Sequence, residues 1–406
     1  DVTGGWYDAG DYGKYIVNGG ITVWTLLDLV ERAQMRGAVA STVLLRAGAL
    51  NIPATGSGLP DFVDELLWEL DFFERMQRAD GMVYHMVNGP DWSPWGYPHE
   101  DPQQRWVYGV GTAATSNFAA VMARAHRVFV GLPGQAERAG RYLTAAQAAW
   151  AAAKSNPAVF PNVWELAYRN QTLEDERFWA AAELYLVTFA TEYRDVIAGQ
   201  DLRQPLWWCS WGDTACLGTH SLATDADSRN EFATAAKLAV TEAADGLVQN
   251  MSGGGFRIPL LVGDYVWGSN GMVLNFALTL ARAHDLTGDA RYSTALFDVL
   301  AYLLGRNALS KSFVSGYGSN PLHNPHHRVF SYQHSSYSDL HQDDLMPTVP
   351  PGFVSGGPDP KLEDDYMKAA FPAGAAYPQL AYRDHIDAFS ANEVTINWNA
   401  PLVWMA

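Results

Sequence analysis

Cysteine is nearly absent: Cys209 and Cys216 are the only two in 406 residues. That excludes a disulfide-built scaffold. On a continuous helix their spacing would separate them by about 10 Å along the axis, too far to bond. Two buried thiols are therefore the expected state, and a bridge requires a loop between them. Charge is also sparse and one-sided: 17% of residues are charged, with 27 basic against 44 acidic side chains, for a net charge of −17. Such a field repels phosphate backbones and anionic lipid surfaces, which argues against nucleic acid or a membrane as partner. A neutral substrate meets no such barrier. No uninterrupted apolar run approaches the ~20 residues that span a bilayer. No signal peptide is recognisable, but the sequence starts abruptly with "DVTGG", as it would if one had been removed.

What is present is helical patterning. Helical periodicity or start and stop signals mark 21–37, 59–81, 112–130, 135–154, 175–195, 213–223, 228–250, 269–286, 290–305 and 392–405, with no alternating strand pattern of matching length. Segments such as "TAATSNFAAVMARA" and "GMVLNFALTLARAHDL" are apolar around most of their circumference, as helices buried on most sides are. The chain is longer than the ~250–300 residues at which single cores usually stop growing. Buried helices in such a chain point to an all-α, double-layered toroid. A superhelical solenoid is the alternative, but no short repeat is visible. Residues 307–391 break the helical rule and carry His, Arg, Tyr and Phe, which reads as a long binding loop. No Pro/Gly-rich linker separates two compositions, so 1–406 is read as one domain.

Three clusters carry candidate chemistry. "GGWYDAGDYGKY" (4–15) sets Asp8 and Asp11 among aromatic rings. It is either a tight turn capping the next helix or a pair of carboxylates for acid–base work on a sugar. "YRDHIDAFSANEVTINWNAPLVW" (382–404) places Glu393 at the start of the last helical pattern, downstream of Asp384 and Asp387. It is either a first-turn helix acid or an acid beside the substrate-orienting amides of Asn392, Asn397 and Asn399. "NPHHRVF" (324–330) offers His326, His327 and Arg328 as donors, either solvated or aimed at hydroxyls and carboxylates. Aromatic platforms for a sugar are sought in loops and at helix starts: Tyr12, Trp92, Trp95, Trp211, Trp267 and Tyr317.

Together these stretches resemble glycoside hydrolase family 9, the inverting β-1,4-glucanases called family-9 cellulases. "GGWYDAGDYGKY" is similar to the family's Asp-Ala-Gly-Asp motif, "SFVSGYGSNPLHNPHHR" (312–328) to its histidine signature and "YRDHIDAFSANEVTINWNA" (382–400) to its acidic signature. "GTAATSNFAAVMARA", "DERFWAAAELY" and "WGSNGMVLNFAL" are similar to family segments in the same order. The resemblance extends to the bacterial branch whose catalytic domain often follows an immunoglobulin-like module. It implies an (α/α)6 barrel and a secreted, monomeric enzyme acting on β-glucan without an organic cofactor. It also implies roles: Asp11 as general base, Asp8 sharing the attacking water, Glu393 as general acid, His326 and Arg328 on sugar hydroxyls, and Asp384 supporting the acid's loop. Inversion needs base and acid on opposite faces of the sugar, ~6.5–9.5 Å apart. The field of Asp8 and Asp11 is expected to raise the pKa of Glu393 and keep it protonated. A structural calcium ion is implied at Asp175, Glu176 and Asp213, with Thr172 lending its carbonyl.

The chain also departs from the family. Relatives carry a further helix upstream of the Asp-Ala-Gly-Asp motif, and in the bacterial branch a cysteine–histidine zinc site, so the barrel is expected to lack its first helix. Gly111 stands where relatives usually have Ser. Endo-acting glucan hydrolysis is the first expectation. An exo-acting relative releasing single sugars, with 307–391 blocking the cleft, is the second, and a glucan-binding protein with a dead site is the third.

Overall fold

The computed structural model describes residues 2–36, 44–53, 55–162, 168, 172–203, 206, 209–330 and 349–406. Its helices are α1 (Ile16–Arg36), α2 (Asp61–Met76), α3 (Thr112–Val130), α4 (Ala136–Ser155), α5 (Glu174–Thr188), α6 (Thr191–Ala198), α7 (Ala215–Thr224), α8 (Ala233–Gly253), α9 (Ser269–Thr287), α10 (Ala290–Leu303), α11 (Asp365–Ala370), α12 (Phe389–Asn392) and α13 (Ile396–Met405). A small antiparallel sheet, unforeseen from the sequence, orders β1 (Lys14–Tyr15), β2 (Tyr84–Asn88) and β3 (Trp106–Val110) side by side, with Tyr15 opposite Met86 and Met86 opposite Tyr108. Its strands are too short to leave an alternating signature. Among the described residues no helix is long and apolar enough to cross a membrane.

The chain forms two compact units. One comprises Asp1–Trp6, Lys14–Asn88 and Trp106–Ala236; the other comprises Tyr7–Gly13, Gly89–Arg105 and Lys237–Ala406. In the first, α3 is buried along most of its length and packs on α1, α4 and α5. Its small residues let those neighbours approach. Its partner α4 buries one face only, through Ala139, Tyr142, Ala146, Ala149, Trp150 and Ala153, spaced as an amphipathic helix requires. The second unit repeats the contrast. α9 is buried from Ser269 to Ala283, whereas α10 buries Tyr292, Ala295, Val299 and Tyr302 on one side. α9 also packs on α13, and there glycine is obligatory: a Cβ on Gly271 would lie 2.2 Å from Trp398 Cδ1.

Several expectations need correction. The helix expected over 175–195 is two, because Phe189 takes the left-handed conformation (φ 56°) and closes α5. The helix expected over 392–405 starts only at Ile396, and Glu393 lies in extended backbone (φ −66°, ψ 154°) after α12, so it is not a first-turn helix acid. The helix expected over 59–81 ends at Met76, beyond which Gln77 bridges Val83. Cys209 and Cys216 are not thiols: they form a disulfide with Cα atoms 5.5 Å apart. The helix begins only at Ala215, and the Ser210–Asp213 turn folds the chain back between the two sulfurs. The loop read over 307–391 contains α11 and the start of α12, and its 331–348 portion lies outside the described residues.

The first unit is pinned by a buried ion network. Arg124 is fully buried and its guanidinium reaches Asp28 (2.5 Å), Glu31 (2.6 Å) and Ser221 Oγ (2.7 Å). Arg127 adds Glu31 (2.6 Å) and Glu183 (2.9 Å). Burial opposes charge on Glu31, but Arg124 and Arg127 outweigh it and hold its carboxyl at about 2. Removing one member leaves buried charge uncompensated. Arg124→Met is expected to lower stability by about 3–5 kcal/mol, read from urea denaturation; an unchanged midpoint would show that the network is dispensable.

Candidate active site

The three clusters singled out in the sequence meet within the second unit. The turn at 7–13 closes on itself: Asp8 N–H donates to the Gly13 carbonyl (2.9 Å) and Gly13 N–H to Asp11 Oδ2 (3.0 Å). The Asp8 carbonyl accepts from Ile396 N–H and Thr395 Oγ1, both at 2.9 Å, which ties the turn to the start of α13. Gly10 is the contact point. Its N–H donates to Glu393 Oε1 (3.3 Å), and its carbonyl accepts from Arg328 N–H (2.9 Å). A Cβ there would lie 2.5 Å from the His326 carbonyl oxygen, so only glycine fits at position 10. His326 pairs with Glu393 as an isolated β-bridge, and its N–H donates to the Asn392 carbonyl (3.0 Å).

Burial sets the electrostatics. Asp8 and Asp11 are only 2% and 4% exposed. Glu393 keeps part of its surface open, yet its carboxyl is densely surrounded. Its pKa is raised from 4.5 to about 8, first by burial, then by Asp11 and to a lesser extent Asp8, against the opposing Arg328 and the Gly10 N–H. The aspartate field was expected to do this; burial does more. Asp11 is also raised by burial, with Arg328, the Gly13 N–H and Arg105 pulling it back. Burial disfavours charge on both; Arg328, the Gly13 N–H and Arg105 oppose it at Asp11, whereas at Glu393 Asp11 and Asp8 add to it against Arg328 and the Gly10 N–H.

His326 stands differently from expectation. Its Nδ1 contacts the Ile386 carbonyl, and its Nε2 lies 2.9 Å from Arg328 Nη1. A guanidinium only donates, so Nε2 accepts and Nδ1 carries the proton. Burial, then Arg328, holds the ring neutral, with its pKa at about 3. Both ring nitrogens are thus engaged by protein, which leaves Arg328 as the donor toward a ligand. Arg328 is fixed further by Nε to the Ser93 carbonyl (3.1 Å) and by the Trp95 ring beneath it (5.1 Å). Asp384 works as a clamp. It accepts from His323 N–H (2.9 Å) and Asn324 N–H (2.7 Å) and pairs with Lys311 (2.8 Å), fastening the histidine segment to the acidic one.

The aromatic candidates scatter. Tyr12 is 1% exposed, and its hydroxyl donates to the Gly96 carbonyl, so it is wall structure and not an open stacking face. Trp267 is 40% exposed and leans on Phe389, which in turn touches His326. Trp92 and Tyr317 are exposed, while Trp211 lies in the first unit with its ring edge-on to Tyr168. Sequence reasoning set Tyr7 among the rings flanking the aspartates, but missed Arg105, Lys311, Phe389 and the Ile386 carbonyl; none of these lay at a position whose spacing marked it.

The residues expected at a calcium ion belong to the first unit. Asp175 Oδ2 accepts from Thr214 N–H (2.8 Å), while its Oδ1 is buried without a hydrogen-bond partner. Asp213 is pushed up to about 6 by burial and by Asp175. Glu176 is buried in the first turn of α5 and Thr172 precedes that helix. Among the described residues no group of three or more His, Cys, Asp or Glu converges as a metal cluster. An ion there would draw on two carboxylates and neutral oxygens.

A family model described as "Glycosyl hydrolase family 9" matches residues 1–406. A "Cellulose 1,4-beta-cellobiosidase" of Acetivibrio thermocellus is 38% identical over 452 aligned residues, covering 100% of this chain and 48% of its own. "Endoglucanase C" of Cellulomonas fimi is 39% identical over 424, covering 100% and 37%. The chain thus spans less than half the length of these relatives. The crystal structure of "GH family 9 endoglucanase J30" is 33% identical, with a TM-score of 0.86 over 100% of this chain and 74% of that one. That likeness bears out the all-α, (α/α)6-barrel fold class. Matched along all its residues and superposable on a solved member, the chain belongs to glycosyl hydrolase family 9.

Proposed function

We propose that the chain is an inverting glycoside hydrolase that cleaves internal β-1,4-glucosidic bonds in cellulose or related β-glucans. Asp11 takes a proton from a water whose oxygen attacks the anomeric carbon, and Asp8 holds that water. Glu393 gives its proton to the departing glycosidic oxygen. Arg328 binds sugar hydroxyls, His326 orients it, and Trp267 offers a stacking face. The observation that carries this reading is the neutral Glu393 carboxyl, held to about 8 and bonded to the glycine between the two aspartates. A general acid must keep its proton near neutrality, and a carboxyl raised to about 8 supports that role for Glu393. Net charge of −17 suits a neutral polysaccharide. The disulfide supports secretion into an oxidising environment. The enzyme acts as a monomer.

Exo action is the second reading, since one relative is named a cellobiosidase. The early products from a long soluble β-glucan decide between them: oligosaccharides of mixed lengths and a rapidly shortened polymer for internal cleavage, one short oligosaccharide and a polymer that stays long for attack from an end.

Asp11→Ala and Glu393→Gln should each lower kcat/KM on cellopentaose by about 10²–10⁴-fold, with the circular dichroism spectrum retained. The first product seen by proton NMR should be the α-anomer. The alkaline side of the wild-type kcat/KM profile should fall near pH 8, as Glu393 loses its proton. An initial β-anomer, or activity surviving in both variants, rejects the assignment. Binding of cellopentaose without cleavage by the wild type would favour a dead-site binding protein.

A structural calcium ion between Asp175 and Asp213 belongs to the same reading. Its support is the partnerless Asp175 Oδ1 beside Asp213, a carboxyl pushed up by burial first and by Asp175 second. Backbone carbonyls, that of Thr172 among them, would complete an oxygen shell, with Glu176 at its edge. Chelation with EGTA should lower the melting temperature of the wild type, and Asp175→Asn should remove that response. Equal responses in both proteins reject the site.

A further inference from the structure

Asn392 closes α12 immediately before Glu393, and it is fully buried. Its side chain is therefore not one of the substrate-orienting amides read from the sequence. Three oxygens surround its Nδ2: the carbonyls of Asn324 (2.5 Å) and His385 (3.3 Å), and Asp384 Oδ1 (3.4 Å). Carbonyls only accept, so the amide nitrogen belongs on that side and Oδ1 on the other. There Oδ1 meets the Tyr382 hydroxyl at 2.5 Å, and the hydroxyl has to donate. Ser355 Oγ, 3.1 Å from the same hydroxyl, is left as the donor to it. The hydrogen bonds thus run in one direction, from Ser355 through Tyr382 and Asn392 to the Asn324 carbonyl. Burial, then Asp384, pushes the Tyr382 phenol well above its ordinary value of 10, so this donor keeps its proton.

We propose that Asn392 is a positioning residue for the reaction: its amide locks the backbone from which the Glu393 carboxyl is aimed at the glycosidic oxygen, and Tyr382 fixes which way that amide faces. This rests on the reading of Glu393 as the general acid. Glu393 stands in extended backbone between α12 and α13, where no helix sets its direction. On one side, the Asn392 carbonyl accepts from His326 N–H (3.0 Å) while its side chain holds the Asn324 carbonyl, so one residue grips the histidine segment twice. On the other side, Gly356 N–H donates to the Glu393 carbonyl and Gly357 N–H to the Ala391 carbonyl, both at 2.8 Å. Ser355 adjoins those glycines, so the chain through Tyr382 and Asn392 joins the two grips. Without the Asn392 amide, a buried carbonyl and a buried hydroxyl each lose a partner, and the backbone at 391–393 shifts to replace them. A displacement of about 1 Å at a catalytic group can cost about 10²-fold.

The test separates aiming the acid from holding the fold. Cellopentaose has a poor leaving group and needs the proton of Glu393, whereas dinitrophenyl β-cellobioside releases a stable phenolate and does not. Asn392→Leu should lower kcat on cellopentaose by about 10–10²-fold with KM unchanged, and leave kcat on the dinitrophenyl substrate within about 3-fold of wild type. If Asn392→Leu does not fold, Tyr382→Phe, which removes only the hydroxyl, carries the same expectation. A folded variant that loses activity on both substrates equally, or on neither, overturns the proposal. Glu393→Gln tests the underlying reading separately: it should lose cellopentaose cleavage and keep the dinitrophenyl substrate. If it loses both alike, Glu393 is not the acid and both readings fall. If it keeps the difference while the Asn392 variant shows none, only the positioning role falls.

Discussion

A carboxyl group keeps its proton at neutral pH only where its charge is too costly to form. Glu393 meets that condition because the chain surrounds it before any ligand arrives: burial acts first and the neighbouring Asp11 second. The same proton links chemistry to stability. The folded form holds it up to about 8, whereas the unfolded chain releases it near 4.5. The contribution of this group to stability is therefore full below about 4.5 and is lost as pH rises through 8. A site built this way works best where its acid is neutral, and it carries a stability cost where the acid is charged.

Holding two aspartates and a glutamate from opposite ends of the chain in one place depends on backbone contacts more than on side-chain pairing. The Asp8 carbonyl is tied to Thr395 and Ile396, and Gly10 is bonded on both of its peptide groups, to Glu393 and to Arg328. Asp384 supplies the cross-link between the histidine segment and the acidic segment. These bonds fix the extended backbone at Glu393 in the gap between α12 and α13, where no helical geometry dictates its direction. The side chains to which the proposal gives roles stand on loops held by rigid elements.

Much of the fold was legible because its signals are long. α3 and α9 announce themselves by small and apolar residues on all sides, and both run close to their expected limits. The site motifs were legible as motifs, and their convergence follows the resemblance. What the sequence concealed depends on tertiary context. No local signal reveals that Phe189 turns left-handed, or that the last helical pattern breaks at Glu393. The disulfide required knowing that a turn, not a helix, separates Cys209 from Cys216. Tyr12 looked like a sugar platform until its burial and its bond to Gly96 showed otherwise.

The central claim is that Glu393 is neutral under conditions where ordinary glutamates are charged. The direct measurement is a side-chain carboxyl carbon-13 titration of the folded protein, with the Glu393 resonance assigned by its absence in Glu393→Gln. A midpoint near 8 is the result that burial and Asp11 demand. A midpoint near the ordinary value of 4.5, in folded protein, would contradict the account.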